Sequence, residues 1–164
     1  MVLTLGRTEI GLLLLGLSIL SFGFWLMPLE ALLSTLGLAE SLLASEFSEF
    51  LINTILSFPA IALAVAGLIM YFRGGEAFWK TANKRYSVQL VLLLIGIILV
   101  VLGASLALLT YQTSVYYAGK PTRPGKTLTE YLFRNSPYFI WFGLWIIAGV
   151  TLLLDFFAHE RTDK

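Results

Sequence analysis

Six residues within one apolar stretch carry the first candidate chemistry. Asn53, Ser57, Ala60, Ala64, Gly67 and Tyr71 are spaced 4, 3, 4, 3 and 4 apart. At helical pitch this spacing lines them along one face. An amide and a hydroxyl on a strip of small side chains can line a polar path or a ligand groove. The same strip can let a neighbouring helix approach closely. In lipid, helices associate through small residues and a few hydrogen bonds, because no hydrophobic force drives them together. A second stripe recurs at strict sevens: Gln89, Gly96, Gly103, Thr110 and Tyr117, with Ala107 beside it. A seven-residue repeat implies left-handed crossings. Packing of these two segments inside a bundle is the plainer account of both stripes and the expected one.

Asp155 and His159 are four apart and share a helix face. A carboxylate beside an imidazole can relay protons or respond to pH. The plainer account places both at the water boundary. An acid near a helix C-terminus opposes the helix dipole, so Asp155 calls for a cation, and Arg73 is the expected one. The run Gly119-Lys-Pro-Thr-Arg-Pro-Gly125-Lys126-Thr127 has the look of a phosphate loop. However, five residues separate its glycines, no strand precedes it, and its prolines remove backbone donors. It reads as a basic surface loop.

Composition closes other routes. The chain has no cysteine and one histidine, His159. Disulfides, thiolate metal sites, thiol catalysis and multi-histidine centres are therefore excluded for this chain alone. No cofactor held within the chain is expected, and bound lipid is compatible with the apolar faces. The net charge of +1 offers no field for nucleic acid.

The elements that must position these residues are membrane spans. Of 164 residues, 58% are hydrophobic and 13% charged, and the mean hydropathy is +0.85. Four apolar stretches, at residues 10–27, 50–72, 88–110 and 137–157, fill most of the chain. At about 1.5 Å per residue, each is long enough for a hydrocarbon layer roughly 30 Å thick. The expected fold is an all-α integral membrane protein: a four-transmembrane-helix bundle forming a single domain. The first stretch is read as a retained span, because it is longer than a signal-peptide core and no small-residue cleavage site follows it.

Between spans one and two, residues 29–47 place Leu29, Leu32, Leu33, Leu36, Leu43 and Phe47 at roughly helical spacing. Their acids Glu30, Glu40 and Glu46 have no Lys or Arg beside them. An amphipathic interfacial helix is expected there. Pro59 should kink span two. Gly74-Gly75 opens the connection to span three, and that span should run on to about Tyr117. Thr127 and Glu130 fit a capping box, and Asn135-Ser136-Pro137 fits a helix start.

Lys and Arg set the orientation. The N-terminus, second connection and C-terminus hold Arg7, Arg73, Lys80, Lys84, Arg85, Arg161 and Lys164; the opposite side holds Lys120, Arg123, Lys126 and Arg134. The excess favours a cell membrane location with both termini cytoplasmic.

The expected function is non-catalytic: an accessory or structural subunit of a larger membrane complex, possible hosts being energy-converting or respiratory assemblies. Its partners would be other integral membrane subunits and lipid. One alternative is a small homo-oligomeric channel or carrier, which would turn Asn53, Ser57 and Gln89 towards a shared axis. Another is a small lipid-acting enzyme using Asp155 and His159.

Overall fold

The computed structural model describes residues 6–21, 32, 35, 46–82, 86–119 and 127–160, though not every side chain within them. The expected interfacial helix at 29–47 and the basic loop at 120–126 lie almost wholly outside these residues, as do Phe22, Phe24, Trp25 and Pro28.

Described residues form helices and no strand. These are α1 (Arg7–Ser21), α2 (Glu46–Ala82), α3 (Tyr86–Ala118), α4 (Leu128–Arg134) and α5 (Ser136–Glu160). Three stretches within them are long and apolar enough to cross a membrane: Phe50–Gly75, Val88–Ala118 and Ser136–Ala158. The described part of α1 has 15 residues, about 22 Å of helix, and residues 22–27 of the expected first span lie outside the described residues.

Local signals account for several helix ends. Thr127 and Glu130 form the capping box. The Thr127 hydroxyl accepts from the Glu130 N–H at 3.4 Å, and the Glu130 carboxylate accepts from the Thr127 N–H at 2.5 Å. Asn135 both closes α4 and opens α5. Its N–H donates to the Tyr131 carbonyl, and its own carbonyl accepts from the Tyr138 and Phe139 N–H groups. Pro137 then sits in the first turn of α5, where no intrahelical donor is needed. Thr127→Ala should remove the hydroxyl half of the box and leave the Glu130 N–H without that acceptor, while the backbone N–H at 127 can still donate to Glu130. A loss of about 1 kcal/mol is expected, measurable as a lower thermal midpoint in detergent with the span helicity unchanged.

One boundary differs from expectation. α2 does not stop at Gly74-Gly75 but continues to Ala82. The reason lies on its neighbour. A Cβ at Gly74 would sit 2.5 Å from the Thr8 Oγ1 and 2.8 Å from the Thr8 backbone N. Gly74 is thus a packing residue on a helix rather than a turn. α2 also runs through Pro59 without a break in the helix.

Two antiparallel pairs build the bundle. α1 packs on α2, and α3 packs on α5. α2 and α5 run parallel and join the pairs. α3 follows α2 directly in sequence yet touches it only slightly. The glycines explain this choice of partner. A Cβ at Gly67 would lie 2.8 Å from the Gly11 carbonyl oxygen, and one at Gly149 would lie 2.7 Å from that of Gly96. Each glycine lets one helix backbone rest against another. These two seams fix which helices pair. Buried Leu56, Leu68, Leu92, Leu99, Phe142 and Leu152 fill the space around them.

Candidate functional site

The two stripes seen in the sequence lie on different seams. On α2, Ala60 and Ala64 are buried, as are Ser57 and Tyr71. Gly67 meets Gly11 and Leu15 of α1. On α3, Gly96 meets Gly149 and Leu153 of α5, and Gly103 meets Phe142 and Ile146. The stripes therefore do not converge on one another or on a common path. Each is occupied by a neighbouring helix of the same chain.

Their polar members are also engaged. The Ser57 hydroxyl donates to the Asn53 carbonyl at 2.6 Å, and the Thr110 hydroxyl to the Leu106 carbonyl at 2.8 Å. Asn53 bridges to the start of α5: its Nδ2 donates to the Arg134 carbonyl at 3.0 Å, and its Oδ1 accepts from the Tyr138 hydroxyl at 3.1 Å. Nearby, Asn135 Nδ2 donates to Ser114 Oγ at 3.0 Å, and that hydroxyl donates to the Thr110 carbonyl at 2.8 Å. One end of the bundle is thus held by amides and hydroxyls from α2, α3 and α5. Aromatic rings surround them. Phe50 stacks on Phe133 at 4.7 Å, and the Arg134 guanidinium lies 4.6 Å from the Tyr131 ring centre. Gln89 is half-buried in the first turn of α3, away from this end.

A second polar centre lies deeper. Ser18 of α1 is fully buried. Its hydroxyl donates to the Ala60 carbonyl of α2 at 2.8 Å and accepts from the indole N–H groups of Trp141 at 2.8 Å and Trp145 at 3.3 Å. A serine hydroxyl has one donor and two acceptor sites, and all three are used. The spacing of Thr8, Gly11, Leu15 and Ser18, the buried face of α1, carries the signal in the sequence. The partners on α5 carry none, since tryptophans in a span read equally well as interfacial anchors.

Asp155 falls inside the apolar window of α5. The buried Tyr71 hydroxyl donates to its Oδ2 at 2.5 Å. Arg73 is exposed. The phenol donor satisfies one oxygen of this half-buried carboxylate where α2 and α5 meet. The His159 side chain lies outside the described residues. Tyr71→Phe should cost about 1–3 kcal/mol by leaving the carboxylate short of a donor. Asp155→Asn should cost less, because its amide oxygen still accepts. The thermal midpoints of the two variants in one detergent check that order.

Among the described residues no cluster of His, Cys, Asp and Glu could hold a metal ion. The arrangement as a whole does mechanical work: it fastens helices. Comparison of the chain with protein-family models, with curated proteins and with solved structures gives no match.

Proposed function

We propose that this protein is a non-catalytic accessory subunit of a larger membrane complex, packing against other integral membrane subunits and holding structural lipid. One observation carries the reading: the polar and small residues able to line a path are turned inward, onto helices of the same chain. Asn53, Ser57, Gly67, Gly96 and Gly103 all meet partners within it. A channel built from copies would need Asn53 and Ser57 on a shared axis. Much of what the chain offers outward is apolar: Leu94, Ile98, Val101 and Leu108 on α3, and Leu13, Leu17 and Leu20 on α1 are all exposed.

In this reading α1 is the fourth span. It lies alongside the membrane-crossing part of α2, from Gly74 at one end to Ala60 at the other, and so shares its depth. Residues 29–47 then lie in the interface, and both termini face the cytoplasm of a cell membrane. An energy-converting assembly is a host consistent with this form.

Purification from native membranes in mild detergent tests the reading. Other membrane proteins should accompany the chain in fixed stoichiometry through successive columns. The chain on its own, as monomer or homo-oligomer, would sink the proposal.

A further inference from the structure

α2 runs through Pro59 as continuous α-helix, and that leaves one backbone acceptor without its donor. In an α-helix the carbonyl of residue 55 accepts from the N–H of residue 59. Proline has no N–H. Ile55, Phe58, Pro59 and Ala62 are all exposed, whereas Leu56, Ser57 and Ala60 are buried. The Ile55 carbonyl therefore opens on the outer face of α2.

Within a membrane span, a carbonyl freed by proline takes its donor from a neighbouring helix, a hydroxyl side chain or water. The hydroxyls nearest in sequence are committed elsewhere. Thr54 donates to the Phe50 carbonyl at 2.8 Å, and Ser57 donates to those of Asn53 at 2.6 Å and Thr54 at 3.4 Å. Among the described residues no side chain donates to Ile55. The inner face of the same helix shows the contrast. There Ser18 of α1 donates to the Ala60 carbonyl at 2.8 Å, so a backbone acceptor on α2 is already met by a donor on a packed helix.

The depth and chemistry of the acceptor select its occupant. Its oxygen lies about 10 Å inside the apolar window Phe50–Gly75, beyond the reach of bulk water. Phospholipid acyl chains carry no donor at that depth, so lipid can cover this face but cannot satisfy it. A second copy meeting the face about a two-fold axis would present the same residues to themselves. Ile55, Phe58, Val65, Ile69 and Phe72, exposed along it, offer no donor. A helix of another protein can supply one, and Pro59 and Ala62 are short enough to let it approach. We infer that the outer face of α2 at Pro59 docks a helix of another membrane subunit, whose hydroxyl or indole N–H donates to the Ile55 carbonyl. The inference rests on the accessory-subunit reading and names a contact through which the subunit would be held.

The group at position 59 tests it. Pro59→Ala restores an N–H, which closes the helical bond on the Ile55 carbonyl. Lactic acid at position 59, the hydroxy-acid analogue of alanine, removes the proline ring yet supplies no N–H. Each full chain would be purified from native membranes in mild detergent beside the unaltered chain. The proteins that accompany the unaltered chain would be quantified by mass spectrometry. Lactic acid should retain them as proline does. Alanine should retain about 3- to 15-fold less, the weight of one interhelical hydrogen bond in a membrane. Stripped of companions in harsher detergent, the alanine chain should melt no lower than the proline chain, because it gains a helical bond. Equal retention by alanine and lactic acid, whether high or low, overturns the inference, since the carbonyl then plays no part. A lower melting point for the alanine chain overturns it too, by making Pro59 a residue of the fold itself. An unaltered chain that purifies alone defeats the accessory-subunit reading and this contact with it. Companions that stay with all three chains defeat this contact alone.

Discussion

Replacing Gly67 with leucine should detach α1 from α2 and leave the α3–α5 seam standing. A Cβ at Gly67 would lie 2.8 Å from the Gly11 carbonyl oxygen and 3.0 Å from the Leu15 N. Both are backbone atoms of a helix and cannot rotate away. Only movement of the whole of α1 makes room, and that movement pulls Gly11 off Tyr71 and Thr8 off Gly74, the other close approaches on the seam. Overpacking of this kind costs about 1–3 kcal/mol or more, and leucine adds three carbons beyond the Cβ. Gly16 on the same helix is the control, because nothing lies within 4 Å of a Cβ built there. Gly16→Leu should change stability by less than about 0.5 kcal/mol. Gly149→Leu should break the other pair, since its Cβ would be 2.7 Å from the Gly96 oxygen. The two seams share no residue, so the losses from Gly67→Leu and Gly149→Leu should add. Unfolding midpoints in mixed micelles measure all of these. Equal midpoints for Gly67→Leu and Gly16→Leu would contradict the seam.

The stripes were legible because small residues at helical spacing stand out against bulky neighbours. What they pack against was not legible. Gly67 and Gly96 are equally good surfaces, and spacing alone does not say which helix rests on which. The partner is decided by complementary small residues elsewhere: Gly11 on α1 for one stripe, Gly149 on α5 for the other. Gly74-Gly75 reads as a turn for a similar reason. A glycine pair marks a break or a close approach, and only the presence of Thr8 distinguishes them. The capping box at Thr127 and the helix start at Asn135 were legible in full, because such signals are local and need no partner helix. Asp155 shows the opposite limit. A tyrosine 84 residues away in sequence donates to it, and no local spacing reveals that donor.

Ser18→Ala should loosen α1 from α5 without releasing it from α2. Ser18 is the described hydrogen-bonded tie between α1 and α5, which otherwise come close at few points. Removing its hydroxyl leaves the Trp141 and Trp145 indole N–H groups without this acceptor, in a site that is 0% exposed at Ser18 and Trp141. Interhelical hydrogen bonds in membranes average about 0.6 kcal/mol each and reach about 1.7. With two indoles and the Ala60 link involved, a loss of about 1–3 kcal/mol is expected, since unpaired buried donors add their own penalty. Trp141→Phe removes the shorter of the two indole bonds and should recover part of that loss when combined with Ser18→Ala. The double variant should therefore be more stable than the sum of the single losses implies, a coupling that unfolding midpoints measure directly. Strictly additive losses would show that hydroxyl and indole do not act on each other. Because Gly67 still holds α1 against α2, Ser18→Ala should also leave the Gly11–Gly67 contact formed. Adding Gly67→Leu to Ser18→Ala should therefore cost further stability, which the same unfolding midpoints measure. The glycines thus set which helix α1 lies on, and one hydroxyl ties it to the second helix pair.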